Sequence, residues 1–498
     1  MSRLLSKSQY TRGLQCVKSL FLYRHHRDLQ DPITPAQQQI FDQGTEVGIL
    51  ARQLFPGGVL IEADHMHPED ALAATRAAIA GGAKVLYEAA AVHDGVLVRA
   101  DIIVNEGGSW SLYEIKSTSE VKDVFLSDVA VQRYVLDGYG LRVGAAHLVH
   151  LNTAYVRHGA LDLAALFAVV DVTMETRAAL AAVPAFLSGM KAVADGQHAP
   201  DIKIGPHCLK PYECDFKAHC WADVPAYSVW NLANAKSDKK YQLWQDGVRN
   251  LVDIQEATTK LSGPQGVQVR VAKSGQPHID RAAIAALLSE LTFPRYFLDF
   301  ETISSAIPPY DGLRPFQQLP FQASIHAQDA AYDPITHHEF LADGLADPRH
   351  ELIEFLVKVI RSHGTVIAYN ASFEGGCLKH LAEIATANNA ARLISAEQRL
   401  WDLATPFRKA FYAHPGFKGS WSIKKTLPVC IPGMTYDGMP IADGVAAQVA
   451  YAQLMNGNPS EVDRAKIMAA LKVYCRQDTL AMVRLLEHLE ETVGIKVG

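Results

Sequence analysis

The chain lacks any run of about 18 uncharged apolar residues that would cross a bilayer as a helix. Its opening stretch, Met1 to Tyr10, has no apolar h-region and no cleavage signal, so the expected location is cytoplasmic, with no membrane partner. Cysteine is scarce: seven residues in 498, four in one half and three scattered in the other, which excludes a secreted disulfide framework. An excess of positive charge is also missing. With a formal net charge of −6, a nucleic-acid substrate would need a local basic groove rather than a global field. Clustered Asp and Glu produce such a balance at metal sites, because only the bound metal neutralises them. Internal repeats and low-complexity tracts are absent too.

What is present is globular in composition, with 49% hydrophobic and 20% charged residues. The length exceeds one ordinary core, so two or three domains are expected. Apolar periodicity predicts helices over 8–25, 35–54, 69–80 and 123–138, and strands over 84–104, 110–117 and 144–151. Residues 225–290, richer in Ser, Lys, Gln and Gly, read as a partly helical connector. From Arg295 the pattern changes: strands at 295–301, 320–327, 337–342 and 365–370, and helices at 347–362, 373–387 and 462–492. Three consecutive strands, then strands alternating with helices, indicate a mixed sheet with helices on its faces. The fold class is therefore α/β in both halves, divided into 1–222, a connector 223–292, and 293–498.

Two sets of residues carry chemistry. In the first half, Glu114-Ile115-Lys116 lies on a predicted strand, so Glu114 and Lys116 share one face, and Asp101 ends the preceding strand. Two carboxylates suit a hard divalent cation such as Mg²⁺, and the lysine can orient water or stabilise charge on a phosphate. Glu88 is a further acidic candidate, and Gln132 can contact a phosphate or position the lysine. Cys208, Cys214 and Cys220 follow at equal gaps among charged and aromatic residues, unlike core cysteines, and Cys16 is the distant fourth. Tight Cys-x₂₋₄-Cys hooks typical of structural zinc are missing, whereas an iron–sulfur cubane accepts wider loops. Iron–sulfur is favoured, zinc stays as the alternative, and the role expected is a staple between distant segments.

Together, Asp101, Glu114-Ile115-Lys116, Gln132 and the one-plus-three cysteine layout resemble the RecB-type PD-(D/E)XK nucleases with an iron–sulfur staple, the CRISPR-associated and AddB-like exonucleases among them. The resemblance covers residues 1–222 and implies a restriction-endonuclease-like domain holding a 4Fe–4S cluster. Two departures stand out: Gly48 falls where those families often carry a His, with Glu46 as a nearby acid, and Leu136 replaces the usual tyrosine four residues after Gln132.

In the second half, Asp299 and Glu301 sit at i and i+2 of an apolar strand, a costly arrangement unless a cation binds there. Glu374 arrives at the start of a helix after a strand, and Tyr474 and Asp478 lie one helical turn apart. Cys377, Cys430 and Cys475 read as small buried hydrophobes. In this order the acids resemble the DEDD exonucleases of RNase H-like fold, in the variety marked by the tyrosine. That resemblance implies Mg²⁺ or Mn²⁺ held by Asp299, Glu301, Glu374 and Asp478, with Tyr474 orienting water. Glu374 departs from the commoner Asp, and Asp402 is a reserve ligand. The stretches 315–322 and 418–424 resemble a bacterial family known only as a domain of unknown function, over about residues 295–490. Lys418, Lys424 and Lys425 are candidates for a phosphate-binding strip, and Tyr310, Phe316 and Trp421 for base stacking.

The expected activity is thus metal-dependent 3′–5′ exonuclease action on single-stranded or frayed DNA, beside a second PD-(D/E)XK site. RNA as the substrate, and a nucleic-acid-binding scaffold with one or both sites inactive, are the alternatives.

Overall fold

The computed structural model describes residues 4–63 and 67–495. The chain divides into two compact units, Met1–Asp223 with Ser305–Gln317, and Val224–Ser304 with Gln318–Gly498.

The first unit contains β1 (Leu5–Ser6), α1 (Lys7–Gln15), α2 (Val17–His25), α3 (Pro35–Ala51), β2 (Val59–Leu60), α4 (Pro68–Ala80), β3 (Val85–His93), β4 (Val96–Asn105), β5 (Trp110–Lys116), α5 (Asp123–Tyr139), β6 (Val143–Leu151), α6 (Leu163–Leu166), β7 (Phe167–Asp171), α7 (Arg177–Ala194) and α8 (Lys217–Cys220). Its mixed sheet runs β2-β3-β4-β5-β6-β7, with β1 paired in parallel to β4. The predicted strand 84–104 is a hairpin, turned by Asp94 and Gly95, both at positive φ. The expected single helix 8–25 is two. Cys16 is extended (φ −161°, ψ 113°), closing α1 and opening α2, with no Gly or Pro to announce the break. One face of the sheet packs against α4 and α5, and α7 packs in turn on α5, α2 and α1. On the other, Val47 and Ala51 of α3 meet Ala306 and Ile307 of the returning segment. Among the described residues α7 alone has the length and apolar composition of a membrane span, and its Val183, Leu187, Met190 and Ala194 are buried in this core.

The second unit contains α9 (Ser237–Gln245), α10 (Gly263–Ser274), β8 (His278–Ile279), α11 (Arg281–Leu288), β9 (Arg295–Ser304), β10 (Gln318–Gln328), β11 (Thr336–Leu341), α12 (Arg349–Val359), β12 (Thr365–Ala368), α13 (Ser372–Ile384), α14 (Ala387–Gln398), β13 (Leu400–Asp402), α15 (Thr405–Arg408), β14 (Tyr412–Ala413), α16 (Ile423–Cys430), α17 (Gly444–Asn456) and α18 (Glu461–Thr492). The five-stranded sheet runs β11-β10-β9-β12-β13, antiparallel across β11-β10-β9 and parallel across β9-β12-β13. This is the mixed pattern anticipated from the order of strands and helices. Gly364 is obligatory where the chain enters β12, since an added Cβ would lie 2.0 Å from the Pro294 carbonyl oxygen. The expected connector clusters with this unit and has an apolar core of its own, including Val229, Leu243, Leu251, Ile254 and Val269. Helices α14, α16 and α17 occupy a stretch whose glycines and prolines had suggested loops.

Candidate metal centres and the cysteine cluster

In the second unit, β9 is the middle strand of its sheet, so both neighbours satisfy its backbone and its side chains alternate between two covered faces. Asp299 and Glu301 emerge on one face, and α18 lays Tyr474, Cys475 and Asp478 against the β9-β10 region. One oxygen from each of Asp299, Glu301 and Asp478 lies within 4.8 Å of the other two. Glu374 reaches this neighbourhood through local geometry. Asn370 adopts a left-handed φ of +73°, turning the chain from β12 into α13, and Glu374 stands in the first turn. It is buried, and its Oε2 has no hydrogen-bond partner among the described residues.

The electrostatics follow from burying four acids together. Burial, reinforced by Asp478, Glu301 and Glu374, drives Asp299 well above the ordinary carboxylate range. Burial and Asp478 do the same to Glu301, with Lys424 opposing. Glu374 is pushed up to about 8 by burial, with Asp402 and Asp478 adding. Asp478 rises only to about 6, because Tyr436, Lys424 and Tyr474 counter its burial.

One partner here carried no sequence signal. Tyr436 donates its hydroxyl to Asp478 Oδ1 at 2.5 Å from 42 residues away. Lys424 Nζ lies 5.5 Å from the ring centroids of both Tyr436 and Tyr474, facing the acids rather than forming an exposed strip. Lys418 and Lys425 are exposed. Cys475, expected as a small hydrophobe, directs its Sγ at Asp299 Oδ2, 3.4 Å away. Asp402 does not serve as a spare ligand. Its Oδ1 accepts from the amides of Asn370 and Ala404, and its Oδ2 pairs with Arg408 at 2.8 Å, so it is consumed in building the turn before α13. Trp421 is half-buried and its carbonyl accepts from Tyr369. Phe316 packs in the first unit, against the cluster of Tyr113 and Phe167, and Tyr310 belongs to the same segment.

In the first unit, β5 presents Glu114 and Lys116 as expected, and the Ile115 amide donates to Asp101 Oδ2 at 2.7 Å across the β4-β5 pair. Two unforeseen residues complete the set. Lys7, at the start of α1, reaches Glu114 Oε1 at 2.8 Å, and Lys116 reaches the same oxygen at 2.6 Å. Asp128 of α5 takes Lys116 on Oδ2 and stands 3.7 Å from Lys7 through Oδ1. Gln132 donates to Glu114 Oε2 at 2.7 Å, so it positions the glutamate and not the lysine. Burial alone would raise Glu114, yet Lys116 and Lys7 outweigh it and hold the carboxyl below its ordinary value. Asp101 goes the other way, to about 7, raised by burial and by Glu114.

Two acids suggested by the sequence do not join this pocket, and the departure at Leu136 stands. Glu88 interrupts the β3-β4 register with a positive φ and pairs with Arg52 at 3.0 Å and Arg99 at 3.7 Å, which engage its carboxylate away from the ligand set. Glu46 is exposed on α3. Leu136, where a tyrosine was sought, is wholly buried in the core, and nearby Tyr134 bonds instead to Asp94.

The four N-terminal-half cysteines are free thiols that lie near enough to influence one another's acidity. Burial raises the Cys220 thiol, and Cys214, Cys208 and Cys16 all add to the shift. Cys16 is likewise raised by burial, with the Ser19 and Lys18 amides opposing and Cys214 and Cys208 adding. Cys16 is the extended N-cap residue of α2, so these are the free amides of that helix's first turn. Helix α1 is fastened to the cysteine-bearing segment. Arg12 grips Asp215 through both oxygens, and Gln15 Nε2 donates to the carbonyls of His207 and Tyr212 at 2.7 Å each.

Residues 296–422 match a family described as a domain of unknown function (DUF2779), a shorter stretch than the 295–490 anticipated. The chain is 27% identical over 231 residues to an uncharacterized protein of Ureaplasma parvum, covering 42% of this chain and 33% of that one. It is 28% identical over 218 residues to an uncharacterized protein of Mycoplasma pneumoniae, covering 38% and 31%. A protein of Mycoplasma genitalium, also uncharacterized, is 24% identical over 230 residues, covering 41% and 33%. The chain therefore spans about a third of the length of the curated relatives it matches. Asp299, Glu301 and Glu374 fall inside the matched domain, whereas Tyr436, Tyr474 and Asp478 lie beyond its end.

Proposed function

We propose that the second unit is a metal-dependent exonuclease domain of RNase H-like type, removing nucleotides from the 3′ ends of single-stranded DNA. The observation that carries this reading is the convergence of Asp299, Glu301 and Asp478, with their oxygens mutually within 4.8 Å. So many acids are not buried side by side unless a cation offsets their repulsion. The fit is specific: Glu301, Glu374 and Asp478 are buried and Asp299 is partly so, Glu374 keeps one oxygen unpartnered, and Lys424 is the cation opposing the charge of Glu301 and Asp478. With four carboxylates and one ammonium ionised, two divalent ions and one phosphodiester bring the pocket to neutrality. Mg²⁺ or Mn²⁺ would supply Lewis acidity toward the phosphate and a more acidic water.

The chain's own residues set the geometry. Asp299, Glu301, Glu374 and Asp478 hold the cations. Tyr436 fixes the Asp478 carboxylate by donating to it. Burial keeps the Tyr474 hydroxyl protonated, so it remains a donor able to orient the attacking water. Lys424 is turned toward the acids, where the phosphate charge would sit.

The first unit is, on the same proposal, a PD-(D/E)XK-type nuclease site built on Asp101, Glu114 and Lys116. Its cysteines Cys16, Cys208, Cys214 and Cys220 fit a 4Fe–4S staple. The donors are four thiols, with main-chain amides on Cys16 and apolar cover from Phe21, Leu22 and Phe216 near Cys214 and Cys220. The deciding experiment is an end-labelled panel of DNA and RNA, single and double stranded, in Mg²⁺ and Mn²⁺. Wild type, Asp299→Asn and Glu114→Gln are compared. Degradation unchanged in both variants would remove both sites, and preference for RNA would reassign the substrate. Iron content and absorption near about 400 nm in anaerobically purified protein test the cluster, and stoichiometric zinc in a colourless protein would replace it.

A further inference from the structure

We propose that Lys7 is a working residue of the first acidic pocket: with Lys116 it supplies the positive charge a second cation would otherwise bring. On this view the pocket operates with one divalent ion, whose arrival releases Lys7 from Glu114 toward the substrate phosphate. The inference rests on the reading of this pocket as a nuclease site.

The geometry leaves little room for another account of Lys7. Its Nζ and that of Lys116 both sit on Glu114 Oε1, at 2.8 and 2.6 Å, while Gln132 takes Oε2 at 2.7 Å. Both Glu114 oxygens are thus engaged. Asp128 is shared by the same two ammonium groups. A cation approaching Glu114 must displace a lysine from it. Lys116 has a second anchor on Asp128 Oδ2 within hydrogen-bonding distance, whereas Lys7 has only the looser contact at 3.7 Å, so Lys7 is the group that yields. Charge agrees. Three carboxylates, two ammoniums, one divalent ion and one phosphodiester sum to zero, whereas a second ion would leave the pocket doubly positive.

Lys7 is also held in place with unusual care for a residue so near the chain's start. Leu5 and Ser6 pair in parallel with Val96 and Leu97 of the strand that carries Asp101. Ser6 then caps α1 reciprocally with Gln9. The far end of α1 is fixed by Arg12 on Asp215 and by Gln15 on two carbonyls of the cysteine-bearing segment. A surface lysine that merely solvates a helix start needs none of these attachments.

The test uses the full chain with the second pocket silenced by Asp299→Asn and Glu301→Gln, and reads Mn²⁺ binding by electron paramagnetic resonance alongside DNA degradation. Lys7→Met should bind Mn²⁺ about tenfold or more tightly, or accept a second ion, since a competing positive charge is gone. Its degradation rate should fall about tenfold or more, with Lys7→Arg recovering part of it. A purely structural lysine would weaken Mn²⁺ binding on removal, through loss of the fold, and circular dichroism of both variants identifies that outcome. Unchanged or weaker Mn²⁺ binding by a folded Lys7→Met overturns the role of Lys7 alone. If Glu114→Gln in the same background binds as much Mn²⁺ as its parent, the pocket is no cation site and the underlying reading falls with it.

Discussion

In the first unit two ammonium groups stand among three carboxylates, and in the second four carboxylates share the influence of one lysine at longer range. The consequence is opposite in sign. Glu114 is nearly inaccessible yet held below its ordinary range, because Lys116 and Lys7 more than offset its desolvation. Glu301, also buried, and Asp299, partly so, are driven well above theirs, because the neighbouring acids add to the effect of burial instead of opposing it. One pocket is closed by its own ion pairs; the other is incomplete as a polypeptide. Buried carboxylates alone do not distinguish a metal site from a salt-bridge network, and the deciding quantity is the charge that surrounds them.

The sharpest way to break this contrast is Asp299→Asn. It should cost about 1000-fold or more in the exonuclease rate proposed for the second unit, measured with end-labelled single-stranded DNA and the first pocket silenced by Glu114→Gln. The same change should stabilise the metal-free protein, since it removes a carboxyl from a like-charged cluster. Glu114→Gln should do the reverse to the first unit, destabilising it by about 3 kcal/mol by leaving two largely buried lysines without their shared partner. Urea unfolding followed in each unit would show shifts of opposite sign; shifts in the same direction would remove the distinction.

Acidity offers a gentler test. In the second unit the folded carboxyls bind protons more tightly than the unfolded chain does. Their stabilising contribution is therefore complete below the ordinary carboxylate range. It is lost as pH rises through about 6 for Asp478 and about 8 for Glu374. Chelated protein should lose stability over that window, and Mn²⁺ should restore more of it at the alkaline end. Glu114, depressed in the folded state, contributes above its unfolded value and loses that contribution only as pH falls through its lower folded one. The smallest effect is expected for Glu88→Gln. Its partly exposed pairs with Arg52 and Arg99 predict a change within about 1 kcal/mol and an unaltered rate, and a large loss of activity would return Glu88 to the ligand set.

The legible part of both pockets is local. Alternation along a strand puts Glu114 with Lys116, and Asp299 with Glu301, on one face whatever the rest of the chain does. One helical turn does the same for Tyr474 and Asp478. The partners that settle the chemistry are separated too far for any period to reveal them: Lys7 lies 107 residues from Glu114, and Tyr436 lies 42 from Asp478. Glu88 and Asp402 show the converse error. Each is an acid at a suitable place along a strand, and each is taken by arginines or backbone amides that spacing does not predict. The break at Cys16 was hidden for a related reason, because nothing in the residue itself disfavours continuing the helix. The mixed character of the second sheet followed from the alternation of elements, but its strand order did not, and helices α14 and α17 were lost in a stretch read as loops.

The short excursion of residues 305–317 into the first unit bears on how the protein is made. Arg157 holds the Pro308 and Pro309 carbonyls there, and Ala306 is sealed against the first sheet's core. A nascent chain emerging from the ribosome therefore delivers the last piece of its amino-terminal unit only after β9, the strand bearing Asp299 and Glu301, has already been synthesised. Cutting the gene after Asp223 would yield a fragment with an unhealed seam, and separating the two units cleanly would call for rejoining that excursion through a linker.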